Sequence, residues 1–116
     1  MHAEAIEPLL RAVMKKNEAK DVRGLACFIL AKRLQQTVPK DSEKLFNLSV
    51  RSYSAVQAPD KKSTLGDLTQ QRLYELKHLS VGKLAPEMSG TDVDGTPAKL
   101  SDYRGKIVMV DFFGDW

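Results

Sequence analysis

The feature that most constrains this sequence is an apolar run near its end, Ile107 to Phe113, interrupted only by Asp111. Most residues of the run are β-branched or aromatic, and Gly105 and Gly114 lie near its two ends. The pattern predicts a strand buried on both faces, because an edge strand would alternate apolar and polar residues. A core helix is the alternative interpretation, but the seven residues are few for a helix, and Val, Ile and Phe favour strands.

Asp111 is the exception in this run and the first candidate functional residue. A carboxylate inside a buried strand costs several kcal/mol if it is charged and unpaired. We therefore expect Asp111 to be neutral, hydrogen-bonded or functional, since burial raises the pKa of a carboxylate.

The last third of the sequence carries a family resemblance. The segment Val110 to Trp116 resembles the part of thioredoxin-like proteins that leads into a Cys-Gly-Pro-Cys active site. Upstream, Val81 to Met88, Asp94-Gly95 and Leu100 to Lys106 are similar to the start of the alkyl hydroperoxide reductase/thiol-specific antioxidant superfamily. Within that bacterial-type superfamily, the segment is most similar to the thiol–disulfide oxidoreductase branch, whose members act in redox homeostasis.

The resemblance implies a chemistry and two site residues. In the family, the first cysteine lies at a helix N-terminus, which lowers the pKa of its thiol. Its thiolate attacks a disulfide, and the second cysteine then resolves the mixed disulfide. Asp111 matches the family's buried carboxylate, a proton relay near the second cysteine, with a structural hydrogen-bonded carboxylate as the alternative. Trp116 matches the tryptophan that abuts the first cysteine, with an ordinary terminal aromatic as the alternative. The family often has tryptophan where Phe113 stands.

The same resemblance sets the expected partners of the complete protein. They are a disulfide-bearing protein or a thiol reductant, and no cofactor is implied. The first active-site cysteine would follow Trp116, so we expect this chain alone to lack the active-site pair and to be inactive. For this chain alone we expect either self-association through Ile107–Phe113 or disorder after about Leu100, because a strand without neighbours leaves an open hydrogen-bonding edge.

The sequence offers no other chemical centre. Cys27 is the single cysteine, so no internal disulfide can form, and its apolar neighbours predict a buried, unreactive thiol. His2 and His78 are too isolated to predict a metal site.

The apolar pattern of residues 1–80 predicts four amphipathic or buried helices. The first spans about 4–16, and the second about 22–37, with Asp21 as its N-cap and a break at Val38-Pro39. The second is apolar nearly all round and should be the most buried, with Gly24 allowing a close helix contact. The third is expected to begin at Asp41 or Ser42 and to end near Tyr53.

The fourth helix is expected to begin at Ser63 or Thr64, where Thr64 and Asp67 approximate a capping box. Its expected core positions share leucine side chains: Leu65, Leu68, Leu73, Leu76 and Leu79. Two helical hairpins of about forty residues are typical of helical repeats, but two are fewer than the three or so that a solenoid needs. We therefore predict a helical bundle.

From Val81 the pattern changes to short strands. Met88–Val93 and 97–100 are expected to form a hairpin across Asp94-Gly95, followed by a helical turn capped by Ser101 and stopped at Gly105. The predicted fold is mainly α with a small β part. A four-helix bundle domain, residues 1–80, precedes residues 81–116, the first part of a thioredoxin-like α/β domain with a β-hairpin, a helical turn and one buried strand.

Charge and hydropathy exclude some function classes. The formal net charge is +3, and the basic excess lies in residues 1–80, with 14 Lys and Arg against 9 Asp and Glu. Because acids are interspersed and no aromatic residues alternate with the cations, we expect a solvated surface and no nucleic-acid binding. No segment reaches the ~20 apolar residues of a membrane span. No signal peptide is visible, which indicates a cytoplasmic protein if Met1 is the true start, although the family often works outside the cytoplasm.

Two functions remain open from sequence. The first is the N-terminal segment of a thiol–disulfide oxidoreductase. The second is a non-enzymatic helical module that binds a partner or dimerises. The coding DNA beyond codon 116 separates them, because a Cys-x-x-Cys there favours the enzyme. An opal codon that encodes selenocysteine is a further alternative.

Overall fold

The computed structural model describes residues 3–114. In this range α-helices come first and a two-stranded antiparallel sheet follows, so the predicted mainly α fold with a small β part is confirmed. The chain divides into two units, here called the helical unit (1–84) and the C-terminal unit (85–116). None of the helices described is long and apolar enough to cross a membrane.

From residue 3, where the described chain begins, the helical unit contains four α-helices. They are α1 (Ala3–Lys16), α2 (Lys20–Leu34), α3 (Pro39–Tyr53) and α4 (Leu65–Tyr74), and a π-helical turn, Glu75–Leu79, follows α4 directly.

The second helix lies at the centre of the helical unit, as its sequence predicts. It contacts α1, α3 and α4, and most of its apolar side chains are buried. Phe28 of α2 packs against Phe46 of α3 with ring centroids 6.0 Å apart, in a tilted geometry that aromatic pairs favour. Gly24 is also confirmed as a close contact, because a Cβ there would lie 3.1 Å from the Tyr53 side chain.

The starts of α2 and α3 differ from the predictions. Asp21 does not cap α2, which begins at Lys20 without a side-chain cap. The third helix begins at Pro39, not at Asp41 or Ser42. Proline suits this first position because its missing N–H has no intrahelical partner there. Ser42 is instead buried, and its hydroxyl donates to the Ala31 carbonyl oxygen at 2.7 Å, which joins α3 to α2.

The fourth helix begins as predicted. The Thr64 hydroxyl accepts from the Asp67 N–H at 3.3 Å, and the Asp67 carboxylate accepts from the Thr64 N–H at 3.1 Å, so both parts of the capping box are present. Leu65 is fully buried, but Leu79 is 56% exposed and is not a core residue. The hydrogen-bond spacing widens to the π-helical pattern at Glu75, which ends the register that would have directed Leu79 inward.

Two buried contacts join α3 to the α4 region. The hydroxyls of Ser49 and Thr69 lie 3.1 Å apart and hydrogen-bond, which satisfies two polar groups that the core excludes from water. Gly66 lies so close to Ser54 that a Cβ would be 2.9 Å from the Ser54 carbonyl oxygen, and the Gly66 N–H donates to that oxygen at 3.0 Å. Only glycine allows this approach.

The C-terminal unit contains the predicted hairpin. Strand β1 (Ser89–Thr91) pairs antiparallel with β2 (Pro97–Lys99), with Gly90 opposite Ala98. Gly95 in the turn has φ +79°, a left-handed conformation that favours glycine. A 3₁₀ turn, Leu100–Tyr103, follows, and its N-cap residue is Lys99 rather than Ser101. Gly105, just after the turn, has φ +82°.

The buried strand predicted at Ile107–Phe113 is not formed. These residues have no strand assignment and all are exposed, with Ile107 at 105% and Phe113 at 87%. A strand requires a hydrogen-bonded neighbour and burial requires a covering surface, and in the described part of this unit neither is placed against the run.

Candidate functional site

The candidate site is built on the hairpin turn of the C-terminal unit. The Asp92 carboxylate oxygen Oδ1 accepts from the N–H groups of Asp94 and Thr96, both at 2.9 Å. The Asp92 N–H donates to the Thr96 carbonyl oxygen at 2.9 Å and closes the loop. An aspartate that bonds backbone two residues ahead is a common way to fix a turn, so Asp92 holds the hairpin register.

A second carboxylate joins the start of the unit to the 3₁₀ turn. Glu87 Oε1 accepts from the Ser101 N–H at 3.0 Å. Hydrogen bonds from the side chain and backbone of Ser101 hold the pKa of Glu87 below its usual range. Asp102 Oδ2 accepts from the Lys99 N–H at 3.0 Å. These bonds fix where the chain leaves the hairpin and enters the segment that carries Asp111.

The segment Ile107–Phe113 is apolar apart from Asp111 and has no regular secondary structure. Val108 and Val110 are 43% and 45% exposed, whereas Ile107 and Met109 are 105% and 94% exposed. Alternation with a period of two is the geometry of an extended chain, in which successive side chains point to opposite sides. The alternation does not continue to the end of the segment, because Phe112 and Phe113 are 78% and 87% exposed.

Of the two site residues expected from the sequence, the structure describes Asp111. Asp111 is exposed in this chain, and its burial is expected only of the complete domain, so that expectation stays a prediction. Trp116 lies outside the described residues. The structure therefore places Asp111 on the surface and leaves its role as a proton relay a prediction.

Cys27 has the buried environment that its sequence predicts. Its side chain is fully buried in α2, and Sγ donates to the Leu45 carbonyl oxygen at 3.3 Å. Burial raises the pKa of the Cys27 thiol to about 11. Because the thiolate is the nucleophile, a thiol with this pKa is almost wholly protonated and unreactive at neutral pH.

No metal-ligating cluster forms within residues 3–114, where no three His, Cys, Asp or Glu side chains converge. His78 lies on the π-helical turn, and its ring packs against Tyr74 with centroids 4.7 Å apart. Its place beside Tyr74 is that of a surface packing residue.

The sequence did not reveal an open groove in the helical unit. It has a volume of about 830 Å³ and lies between the α2–α3 corner, at Pro39 and Lys40, and the π-helical turn, at Leu76 and Lys77. Its charges are mixed, with Glu75 beside Lys77. The Val38-Pro39 break in the sequence marks the corner on one side of this groove. The groove itself could not be predicted, because it depends on how helices distant in sequence pack.

Comparison with known proteins gives a partial match. No family model matches the chain, and no solved structure matches it. A stretch of 38 residues, 33% of the chain, is 47% identical to the thiol-disulfide oxidoreductase ResA of Geobacillus kaustophilus (strain HTA426). The ResA proteins of Geobacillus thermodenitrificans (strain NG80-2) and Bacillus thuringiensis subsp. konkukian (strain 97-27) match over the same length at 42% and 40% identity.

The matched stretch spans 22% of the length of these curated relatives. It shows that part of this chain is similar to thiol-disulfide oxidoreductases. The greater part of the chain lies outside the match.

Proposed function

We propose that this chain is the N-terminal segment of a thioredoxin-like thiol–disulfide oxidoreductase, and that its C-terminal unit begins the redox domain. The observation that carries the proposal is the similarity of 38 residues to ResA proteins at 40–47% identity. The length of that match is close to that of residues 81–116, where the family motifs lie.

The geometry of the C-terminal unit supports this proposal. The hairpin, the 3₁₀ turn and the apolar segment after Gly105 follow one another in the order that the family resemblance implies. Ile107–Phe113 would then become the buried strand when the remaining strands and helices of such a domain cover it.

Asp111 has a specific role in the proposal. In the covered strand its carboxylate would lie inside an apolar layer and pass a proton to or from the thiol of the resolving cysteine. Trp116 would pack beside the attacking cysteine and shape the surface that meets the disulfide substrate. The partner of the complete protein would be a disulfide-bearing protein or a thiol reductant, and the direction of the reaction follows from the reduction potential of that partner.

The first experiment reads the coding DNA beyond codon 116 and expresses the extended protein. We expect a Cys-x-x-Cys immediately downstream and reduction of insulin disulfides. Asp111→Asn should lower the rate and alter its pH profile, whereas Asp94→Asn, in the exposed hairpin turn, should leave both unchanged. An extended reading frame with neither cysteine nor selenocysteine at that place would refute the proposal.

The 116-residue chain alone should not catalyse disulfide reduction. With dithiothreitol as reductant it should reduce insulin at the background rate, because its one thiol, Cys27, is buried and has a pKa of about 11. Turnover that Cys27→Ala abolishes would show that this thiol reacts, and would contradict the structural role given to it here.

A second candidate function is a helical interaction or dimerisation module. It is favoured by large apolar side chains on the surface of the helical unit, among them Leu9 at 50% and Ile29 at 45% exposure. If α1 and α2 carry such an interface, Ile29→Glu should weaken association of the full chain in sedimentation velocity, and Val93→Glu, in the hairpin region, should not. Equal association of both variants would exclude this interface.

A further inference from the structure

We propose that the groove between α3 and the α4 region binds an acidic segment of a partner protein that also carries apolar side chains. Such binding is a property of the helical unit and does not rest on the redox proposal. It also uses other residues than the α1–α2 interface considered above.

Two cavities adjoin where α3 packs against α4 and the π-helical turn. The groove of about 830 Å³ described above extends along α3 as far as Glu43 and includes Leu76 on the opposite wall. A second cavity, of about 550 Å³, begins at Lys44 on α3 and includes Leu73 on α4. Glu43 and Lys44 are neighbours, and Leu73 and Leu76 are about one helical turn apart. The two cavities therefore form one continuous feature, here called the α3–α4 groove.

The floor of the α3–α4 groove is apolar. Val50, Leu73 and Leu76 are half-buried and line it. Leu73 and Leu76 also pack against the hydrophobic core, so they are held in place from below. Their exposed parts are apolar surface that a partner's side chains can remove from water.

The π-helical turn forms one end of the groove. Four of its five residues line the groove. The Ser80 hydroxyl donates to the Leu76 carbonyl oxygen at 2.8 Å and fixes the end of the turn. Because π-helical turns are rare and occur frequently at functional sites, this geometry supports a binding role for the groove.

Cations outnumber acids along the groove. Five Lys and Arg side chains line it, against two Glu side chains. Glu75 is already neutralised, because its Oε2 lies 3.1 Å from Nη1 of Arg72, which does not line the groove. The side chains of Lys40, Arg51 and Lys77 make no ion pair or hydrogen bond with the described residues. The groove therefore has cations that remain available to carboxylates of a partner.

The spacing of the cations on α3 indicates the size of the ligand. Lys40, Lys44 and Arg51 share one face of α3, because the second and third follow the first by about one and three helical turns. Lys44 also lies 3.5 Å from Asp41, an exposed pair that contributes little. Lys40 and Arg51 are about 16 Å apart along the helix axis, too far for one small anion to contact both. A peptide spans this distance as about five extended or eleven helical residues.

The apolar floor favours a protein segment over a nucleic acid. Leucine-like side chains of an amphipathic segment would cover Val50, Leu73 and Leu76, as in other helix-in-groove complexes. Single-stranded nucleic acids instead stack their bases on aromatic side chains, and none lines either cavity in the described part of the chain.

Fluorescence anisotropy with the full chain tests the class of ligand. The probe is a fluorescein-labelled peptide of about twelve residues, long enough to span Lys40 to Arg51 as a helix, with a leucine stripe flanked by glutamate. It should bind at least about tenfold more tightly than the same peptide with lysine for glutamate, or with serine for leucine. Raising NaCl from about 0.1 to about 1 M should weaken binding, because the Debye length falls from about 10 to about 3 Å.

Charge reversal on the two walls tests the place of binding. Arg51→Glu on α3 and Lys77→Glu on the π-helical turn should each weaken binding of the glutamate peptide at least about tenfold. Lys20→Glu, at the exposed start of α2 and outside the groove, is the matched control and should leave binding unchanged. The double variant Arg51→Glu, Lys77→Glu should bind the lysine peptide more tightly than the unsubstituted chain does, a gain that a misfolded variant would not show.

The other outcomes overturn the proposal. Absence of binding of the glutamate peptide at about 1 mM would mean that the groove has no useful affinity for such a segment. Equal binding of the glutamate and lysine peptides would exclude charge complementarity, and an equal loss in Lys20→Glu would exclude the groove as the place of binding. Tighter binding of a fluorescein-labelled polythymidylate oligonucleotide than of the glutamate peptide would identify a nucleic acid as the ligand.

Discussion

Two phenylalanines show how the two units of this chain differ. Phe46 in α3 is fully buried against Phe28, whereas Phe112 in the C-terminal unit is 78% exposed. The helical unit brings α2, α3 and α4 around one core, so its apolar faces cover one another. Within its described residues, 85–114, the C-terminal unit has a hairpin of three-residue strands and no further sheet beside its apolar run. Apolar residues become buried only where the same unit provides a surface to cover them.

The largest expected difference between the units comes from truncating these two rings. Phe46→Ala should lower the free energy of unfolding of the helical unit by about 3–5 kcal/mol, because it removes a buried ring and leaves a cavity. Phe112→Ala should change it by less than about 0.5 kcal/mol, as for most surface positions. Urea denaturation followed by circular dichroism measures both, and similar losses would mean that Phe112 packs in a core.

The second difference concerns two glycines. Gly66→Ala should destabilise the helical unit by about 1–3 kcal/mol, because the new Cβ would lie 2.9 Å from backbone of Ser54, which cannot move freely. Gly90→Ala in β1 meets nothing within 4 Å and should be nearly neutral. Thermal unfolding compares the two, and a neutral Gly66→Ala would show that Ser54 can shift.

A smaller effect tests the start of α4. Thr64→Ala removes the capping hydroxyl and should cost about 1 kcal/mol of unfolding free energy. Ser80→Ala, past the end of the π-helical turn, serves as a comparison, since its hydroxyl donates to the carbonyl oxygens of Leu76 at 2.8 Å and Glu75 at 3.4 Å and caps no helix start. A larger loss for Ser80→Ala than for Thr64→Ala would contradict the importance given to the capping box.

The smallest effect is a pH dependence of the same cap. Hydrogen bonds from the Thr64 N–H and then its hydroxyl lower the pKa of Asp67 from its ordinary value of 3.8. A carboxylate with a lowered folded-state pKa stabilises the fold above its unfolded pKa, and the contribution is lost as the pH falls through the folded pKa. Asp67→Asn should therefore be less stable than the unsubstituted chain at pH 7 and equal to it in strong acid. A difference that persists unchanged in acid would exclude this origin.

Sequence patterns predicted the helical unit well because its information is local. The apolar character of α2, the buried Cys27 and the Thr64–Asp67 cap all follow from side chains within a few residues of one another. The predicted start of α3 was wrong because Ser42, a good capping residue, does not cap this helix. Its hydroxyl instead hydrogen-bonds to Ala31 of α2. The π-helical turn and the groove beside it depend on packing that no short pattern encodes.

In the C-terminal unit, one prediction depended on local residues and was correct, and another depended on distant residues and was not. The hairpin was predicted correctly because Asp94-Gly95 specifies a turn by itself. The strand at Ile107–Phe113 was not formed because its burial depends on a surface outside these residues. The proposed role of Asp111 has the same dependence, since a proton relay needs the covered strand around it.

Hydrogen exchange at two protein concentrations tests the central claim most directly, namely that Ile107–Phe113 needs a covering surface from outside its own unit. In dilute monomer, amides of residues 107–113 should exchange at nearly unprotected rates while those of α2 and α3 exchange slowly. At high concentration, protection should appear at residues 107–113 alone. Slow exchange of residues 107–113 in a strict monomer would contradict the account.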